Sequence, residues 1–250
     1  LTASAYGLPD AGIATYTQMV DRVATLARTV DAAVIADADT GYGGLLNVHH
    51  TVRGYEEAGA TGIQIEDQEF PKKCGHTPGR RVVPIKDMVA KIKVACEARR
   101  DPVNTLIIAR TDARQAEGFD AAVARGQAYA EAGADAIFVE ALESEEEMRE
   151  ACRRIDRPLM ANMSDGGNTP IRSQEQLIEI GYKLAIFPAT TALAASAAIE
   201  HSLRALKDNG SSQIDGPPLF DFSEFCQLIG FQDVWDFEKR WADAEDGDAS

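Results

Sequence analysis

Short runs of Val, Ile, Leu and Phe alternate along this chain with longer segments in which apolar residues recur at helical spacing. The runs are AVIA at 33–36, GIQI at 62–65, LIIA at 106–109, AIFV at 136–139, PLMA at 158–161 and LAIF at 184–187. Continuous apolar strands without polar alternation predict a parallel sheet buried on both faces. Between them, Tyr16, Met19, Val20, Val23, Leu26 and Val30 mark one helical stripe, and Val48, Thr51, Val52, Tyr55 and Ala58 a second. A third, through Ile85, Met88, Val89, Ile92 and Cys96, follows Pro84, which suits a first helical turn.

The pattern repeats itself. EAGATGIQIE at 57–66 is echoed by EAGADAIFVE at 131–140 and more weakly by IGYKLAIF at 180–187. Each reads as a helix end, a glycine in the left-handed conformation, and a strand entered directly afterwards. Repeated βα units fit either a barrel or a doubly wound sheet, and periodicity does not choose between them. The polar residues closing the strands do: Asp37 and Asp39, Glu66 and Asp67, Arg110 and Asp112, Glu140, Asn162, and Thr190 just past Pro188. Only a barrel converges all its strand ends on one mouth, so the predicted fold is an α/β, (β/α)8 TIM-type barrel.

At 250 residues, with 45% hydrophobic and 26% charged content, the chain suits one such domain. Its net charge of -15 argues against a nucleic-acid face, which needs clustered cations. Glu143 and Glu145 to Glu147 read as solvated surface. No apolar run reaches bilayer length and no secretory leader is apparent, so a soluble, cytoplasmic protein is expected. Cys74, Cys96, Cys152 and Cys226 lack the spacing of a zinc site or a disulfide framework.

Asp37, Asp39, Glu66 and Asp67, on neighbouring strand ends, offer the oxygen ligands that Mg²⁺ or Mn²⁺ prefers; capping of the following turns is the plainer reading. Lys72, Lys73 and His76 flank Cys74, a setting that favours a thiolate or a proton exchanger, while a solvated basic loop is the alternative. Arg110 is suited to grip a substrate carboxylate bidentately or to pair with Glu140, and Asn162 to bond a carboxylate or to serve the glycine-rich loop after it. His49, His50 and His201 read as helix-surface residues.

DADTGYGG at 37–44, IEDQEFPKKCGH at 65–76, ARTDA at 109–113, Glu140 and the Asn162-Met163 loop together resemble the isocitrate lyase and phosphoenolpyruvate mutase superfamily, in its methylisocitrate lyase and 2,3-dimethylmalate lyase branch. The match runs from about Ser4 to the C-terminus. The resemblance implies Mg²⁺ at Asp37 and Asp39 with Glu66 nearby, Lys72 and Cys74 on a gating loop with Cys74 as proton donor, and catalytic duty for Arg110. It also implies Gly75, His76, Glu140, Asn162, Ser164 and Thr190 as substrate contacts. The implied reaction is Mg²⁺-dependent cleavage of a 2-hydroxy dicarboxylate to an α-keto acid and a carboxylate. Methylisocitrate lyases carry an arginine where this chain has Leu193, which disfavours a tricarboxylate.

The opening LTASAYGLPD resembles the loop after the family's second barrel strand, so the first βα unit is expected to be missing from this sequence. A barrel domain is expected over 1–210, a helical oligomerisation segment over 211–244 and a disordered acidic tail over 245–250. Leu219, Phe222, Phe225, Leu228, Phe231, Trp235, Phe237 and Trp241 are too apolar for an exposed extension and imply a homo-oligomer, a tetramer of helix-swapped dimers by the same resemblance. The competing functions are an oxaloacetate hydrolase, a carboxyphosphoenolpyruvate-type phosphonomutase, and a barrel that binds metal or dicarboxylate without turnover.

Overall fold

In a computed structural model, residues 2–75, 77, 79–213, 216 and 219–245 are described. The chain divides into two compact units, Leu1–Ala192 and Leu193–Ser250. The first begins with α1 (Thr2–Tyr6) and α2 (Tyr16–Thr29), then alternates β1 (Ile35–Asp37), α3 (Leu45–Glu57), β2 (Gly62–Glu66), α4 (Ile85–Ala98) and β3 (Leu106–Thr111). It continues through α5 (Ala113–Glu117), α6 (Phe119–Glu131), β4 (Ala136–Val139), α7 (Glu145–Arg154), β5 (Met160–Asn162), α8 (Gln174–Ile180) and β6 (Leu184–Ile186).

Among the described residues, every pairing between the named strands is parallel and follows chain order. β1 to β4 form one sheet, β5 pairs with β6, and a bridge from Ile137 to Leu159 joins the two. Neighbouring strands that are also consecutive in sequence define the barrel progression, not the reversal of a doubly wound sheet. Among the described residues β1 and β6 do not pair with each other, so the six strands form an arc.

The apolar periodicity is what builds this arc. Val48, Thr51, Val52 and Tyr55 face inward from α3, and Met88, Ile92, Ala95 and Ala98 from α4. They pack with Ile63, Ile65, Ile107 and Ala109 on the strands, while Ile108, Ala136, Phe138 and Met160 fill the other face. β2 and β4 are buried along their whole length, as their unbroken apolar runs predict. Gly59, Gly133 and Gly181 stand at φ 96°, 111° and 121° after α3, α6 and α8, where a side chain would be strained. The first and fifth strands start two residues later than their apolar runs, at Ile35 and Met160.

The second unit contains most of α9 (Thr190–Asn209), with α10 (Phe222–Leu228) and α11 (Phe231–Glu245). Phe222, Leu228, Phe237 and Trp241 are exposed there. The expected tail beyond Glu245 lies outside the described residues. No described helix is long and apolar enough to cross a membrane.

Because Ile107 is fully buried whereas Val103, four residues earlier, is 81% exposed, the two should respond differently to truncation. Urea unfolding of Ile107→Ala should show a loss of about 2–5 kcal/mol, and Val103→Ala a change within about 0.5 kcal/mol. Equal losses would contradict the assigned core.

Candidate active site

The parallel strands point their last residues the same way. Asp37, Glu66 and Asn162 end β1, β2 and β5, Arg110 is one residue from the end of β3, and Glu140 follows β4. A cleft of about 430 Å³ opens above them, lined by Asp37, Arg110, Glu140, Asn162 and Ser164, by Cys74 and Gly75 from the loop after β2, and by Asp10 from the loop after α1. Asp37, Arg110, Glu140 and Asn162 therefore meet in one place with Cys74 and Gly75, whereas Asp67 does not line the cleft and accepts from the Asp112 N–H at 2.9 Å and from the Tyr129 hydroxyl at 2.7 Å. His76 lies outside the described residues. Thr190 is exposed, does not line the cleft, and donates from Oγ1 to Asp165 Oδ2 at 2.5 Å.

Local backbone geometry aims the first two acids. Asp39 adopts φ 47° and donates its N–H to Asp37 Oδ1 at 2.9 Å, a turn that aspartate tolerates in the left-handed region. Tyr42 and Ala141 also have positive φ, at 55° and 60°. Strain of this kind at strand ends is maintained only where the surroundings enforce it. Below the loop, Lys91 on α4 donates from Nζ to the Thr40 carbonyl at 2.8 Å.

Lys72 is the internal counter-ion of this acidic cluster. Its Nζ lies 2.7 Å from Asp39 Oδ1 and 2.6 Å from Asp10 Oδ1. Burial by itself would lower its pKa, but Asp37, Glu66, Asp39 and Asp10 hold the ammonium above its ordinary value. Burial, then the Asp37 charge, pushes the Asp39 carboxyl up to about 6 against the pull of Lys72. Burial likewise pushes Glu66 well above the usual carboxylate range, opposed by Arg110 and Lys72.

Arg110 is held from several sides. Nε donates to Asp112 Oδ2 at 2.9 Å and Nη2 to Asp112 Oδ1 at 3.0 Å. Nη1 is 3.4 Å from Glu66 Oε2, Nη2 is 3.5 Å from Glu140 Oε2, and the guanidinium lies 5.0 Å from the centre of the Phe138 ring. The bidentate fork expected for a substrate carboxylate is thus used on Asp112, and the remaining Nη1 faces Glu66. Asp112 is kept below its ordinary pKa, burial notwithstanding, by Arg110 and Arg80. Glu140 accepts from the Ala141 N–H at 2.9 Å and from Asn162 Nδ2 at 3.0 Å.

Asp10, Arg80 and Lys91 were not among the residues singled out from the sequence. Asp10 had a local signal, as the polar end of the turn-forming GLPD; the other two are defined only by partners far along the chain.

The described residues include no group of three His, Cys, Asp or Glu side chains gathered tightly enough to enclose a metal alone. Mg²⁺ does not demand one, because it retains several waters and takes only one or two carboxylates with its substrate. Glu66 supplies the more telling observation: both its carboxylate oxygens are buried and accept no hydrogen bond. Such a group calls for a cation or for water on a cation. The acidic, all-oxygen donor set fits Mg²⁺ or Mn²⁺ and lacks the thiolate and imidazole set of a zinc site.

Fold and site together define a βα-barrel enzyme with an acidic, cysteine-bearing mouth. The family model for phosphoenolpyruvate phosphomutase matches residues 1–207. A 2-methylisocitrate lyase of Aeropyrum pernix is 49% identical over 238 residues, covering 95% of this chain and 75% of that protein. A 2,3-dimethylmalate lyase of Eubacterium barkeri is 43% identical over 241 residues, covering 96% and 83%. Among solved structures, an oxaloacetate acetylhydrolase in complex with 3,3-difluorooxalacetate superposes with TM-score 0.90 at 32% identity, over 96% of this chain and 82% of the other. A phosphonopyruvate hydrolase in complex with oxalate and Mg²⁺ gives 0.84 at 29%, over 96% and 83%.

The chain belongs to the phosphoenolpyruvate phosphomutase family, within the phosphoenolpyruvate mutase and isocitrate lyase superfamily, and its fold is of the TIM-barrel type. It is an enzyme of the carbon-carbon lyase kind, which leaves the non-catalytic reading without support.

A Cβ on Gly75 would lie 2.4 Å from Arg110 Nη2 and 3.0 Å from two Glu140 carbons. Gly75→Ala should therefore lower kcat/KM by about 10²-fold through displacement of the loop, with little change in the thermal midpoint. Activity near that of the unaltered protein would show that the loop does not seat against Arg110 and Glu140 during turnover.

Proposed function

We propose that this protein cleaves the C2–C3 bond of a 2-hydroxy dicarboxylate of the 2-alkylmalate or 2,3-dimethylmalate type, releasing an α-keto acid and a carboxylate. The observation that carries the reading is the placement of the hydrogen-bond-orphaned Glu66 beside the Asp37 and Asp39 turn, with Asp37 and Cys74 lining one cleft. Asp37, Asp39 and Glu66 would hold Mg²⁺, or Mn²⁺ in its place. When bound, the metal supplies a Lewis acid for the substrate hydroxyl and its neighbouring carboxylate.

The chain's own residues account for the remaining chemistry. Asp10 lines the cleft outside the metal set and takes the hydroxyl proton as the carbon-carbon bond breaks. The other fragment departs as a carboxylate-stabilised carbanion, and the Cys74 thiol gives it a proton. Arg110, fixed in direction by Asp112, offsets the negative charge that accumulates in the transition state. Gly75, Glu140, Asn162 and Ser164 orient the substrate, with His76 as a further contact. Lys72, between Asp39 and Asp10 at close range, offsets part of the acidic charge of the mouth and lessens its repulsion of an anionic substrate.

By the resemblance, Leu193 stands where methylisocitrate lyases carry an arginine, which favours a dicarboxylate over the substrate named for the A. pernix relative. The exposed aromatic residues of α10 and α11 favour a homo-oligomer, a tetramer in this reading, and the enzyme is taken to be cytoplasmic.

Incubation with Mg²⁺ and a panel of 2-hydroxy dicarboxylates, following α-keto acid release, tests the reading. Release should stop with a chelator and return with Mg²⁺, and Cys74→Ala should lower kcat by about 10²- to 10⁴-fold. A kcat/KM for 2-methylisocitrate equal to or above that for 2,3-dimethylmalate would overturn the substrate assignment. Undiminished turnover by Cys74→Ala would remove the proton-donor role, and oxalate release from oxaloacetate alone would make the enzyme a hydrolase.

A further inference from the structure

Arg80 is nearly fully buried yet belongs to the loop that carries Cys74. Its side chain is 2% exposed, and Asp112, which it meets at 2.7 Å through Nη1, is wholly buried. Nη2 donates to Gln115 Oε1 on α5, and Nε donates to the Thr77 carbonyl at 3.2 Å. Thr77 in turn holds the Cys74 carbonyl twice, from its N–H at 3.0 Å and from Oγ1 at 2.8 Å. One guanidinium therefore spans the turn that presents the cysteine and the carboxylate that fixes Arg110.

The front of the same loop is held separately. Gln68 bonds both backbone groups of Lys73, at 2.9 and 3.0 Å, and the Cys74 N–H donates to the Asp10 carbonyl at 3.1 Å. Those contacts place the loop but do not join it to Asp112. Only the five donors of a guanidinium, in their fixed fork, can satisfy the Thr77 carbonyl, Asp112 and Gln115 together.

We propose that Arg80 is the positioning residue of the proton donor: it latches the Cys74 turn to the Asp112 carboxylate, so that Cys74 and Arg110 are set in place by one shared anchor. The inference rests on Cys74 acting as the acid of the site, but its mechanical content is independent of turnover. Asp112 is the common member of both pairs, and a charge-assisted bond to a buried carboxylate is strong enough to set where a short loop sits. The loop's return path through Arg80 thus links the placement of the acid to that of the cation beside it.

Alkylation of Cys74 by iodoacetamide, resolved by mass spectrometry in the substrate-free protein, reads this latch directly. In Arg80→Gln the Cys74 rate should rise by about tenfold, as expected for loss of one buried charged bond. Cys96 and Cys152, which lie on α4 and α7, serve as internal controls and should keep their rates. Arg80→Lys retains a charge for Asp112 but cannot also reach Thr77 and Gln115, so it should give an intermediate rate and stands in if Arg80→Gln does not fold. With turnover measured alongside, kcat should fall while KM changes little. A Cys74 rate equal to that of the unaltered protein in the folded variants, or an equal rise at all three cysteines, would overturn the latch. Failure of the lyase assay with the expected labelling would instead remove the proposed chemistry and leave the latch standing.

Discussion

The mouth of this barrel gathers more negative than positive charge in a place that excludes much of the solvent, and the arrangement of its side chains follows from that imbalance. Asp10, Asp37, Asp39, Glu66, Asp112 and Glu140 share the region with Lys72, Arg80 and Arg110. A buried carboxylate without a partner is costly, and a buried pair is retained only when its geometry is good. Lys72 therefore sits between Asp39 and Asp10, and Asp112 is met by two arginines. Glu66 has Arg110 at 3.4 Å but no hydrogen bond, which is where an added cation relieves the greatest cost.

Parallel strands explain why this crowding arises at all. Their shared direction brings every C-terminal end to one side, whereas the apolar residues before those ends are fixed by the core. The strand interiors thus contribute stability, and the final residues are free to be polar. Positive φ at Asp39 and Ala141 shows the same division, since strain falls at the ends of β1 and β4 and not within them.

Much of this was legible in the sequence, because both signals are local. An unbroken apolar run reports a strand buried on two faces, and the charged residue closing it reports the rim. Hence Asp37, Glu66, Arg110, Glu140 and Asn162 could be named together before any contact was known. What escaped depends on partners far along the chain. Arg80 and Asp112 are 32 residues apart and Lys91 and Thr40 are 51 apart, so no periodicity marks either bond. The engagement of Arg110 by Asp112 escaped for a different reason: the two are near in sequence, but whether the fork turns back on its own strand end or outward is settled only by the surrounding packing. The two-residue delay in β1 and β5 has a similar origin, since the apolar run begins before the point where pairing does.

Asp37, Asp39 and Glu66 are proposed to form a divalent-metal site in the barrel mouth. Titration of Mn²⁺ into the full chain, followed by the loss of its free-ion electron paramagnetic resonance signal, tests this most directly. One bound ion per chain, displaced by Mg²⁺ and lost in both Asp37→Asn and Glu66→Gln, is the expected result. Retention of Mn²⁺ with unchanged affinity in those variants, or no bound ion in the unaltered protein, would contradict it.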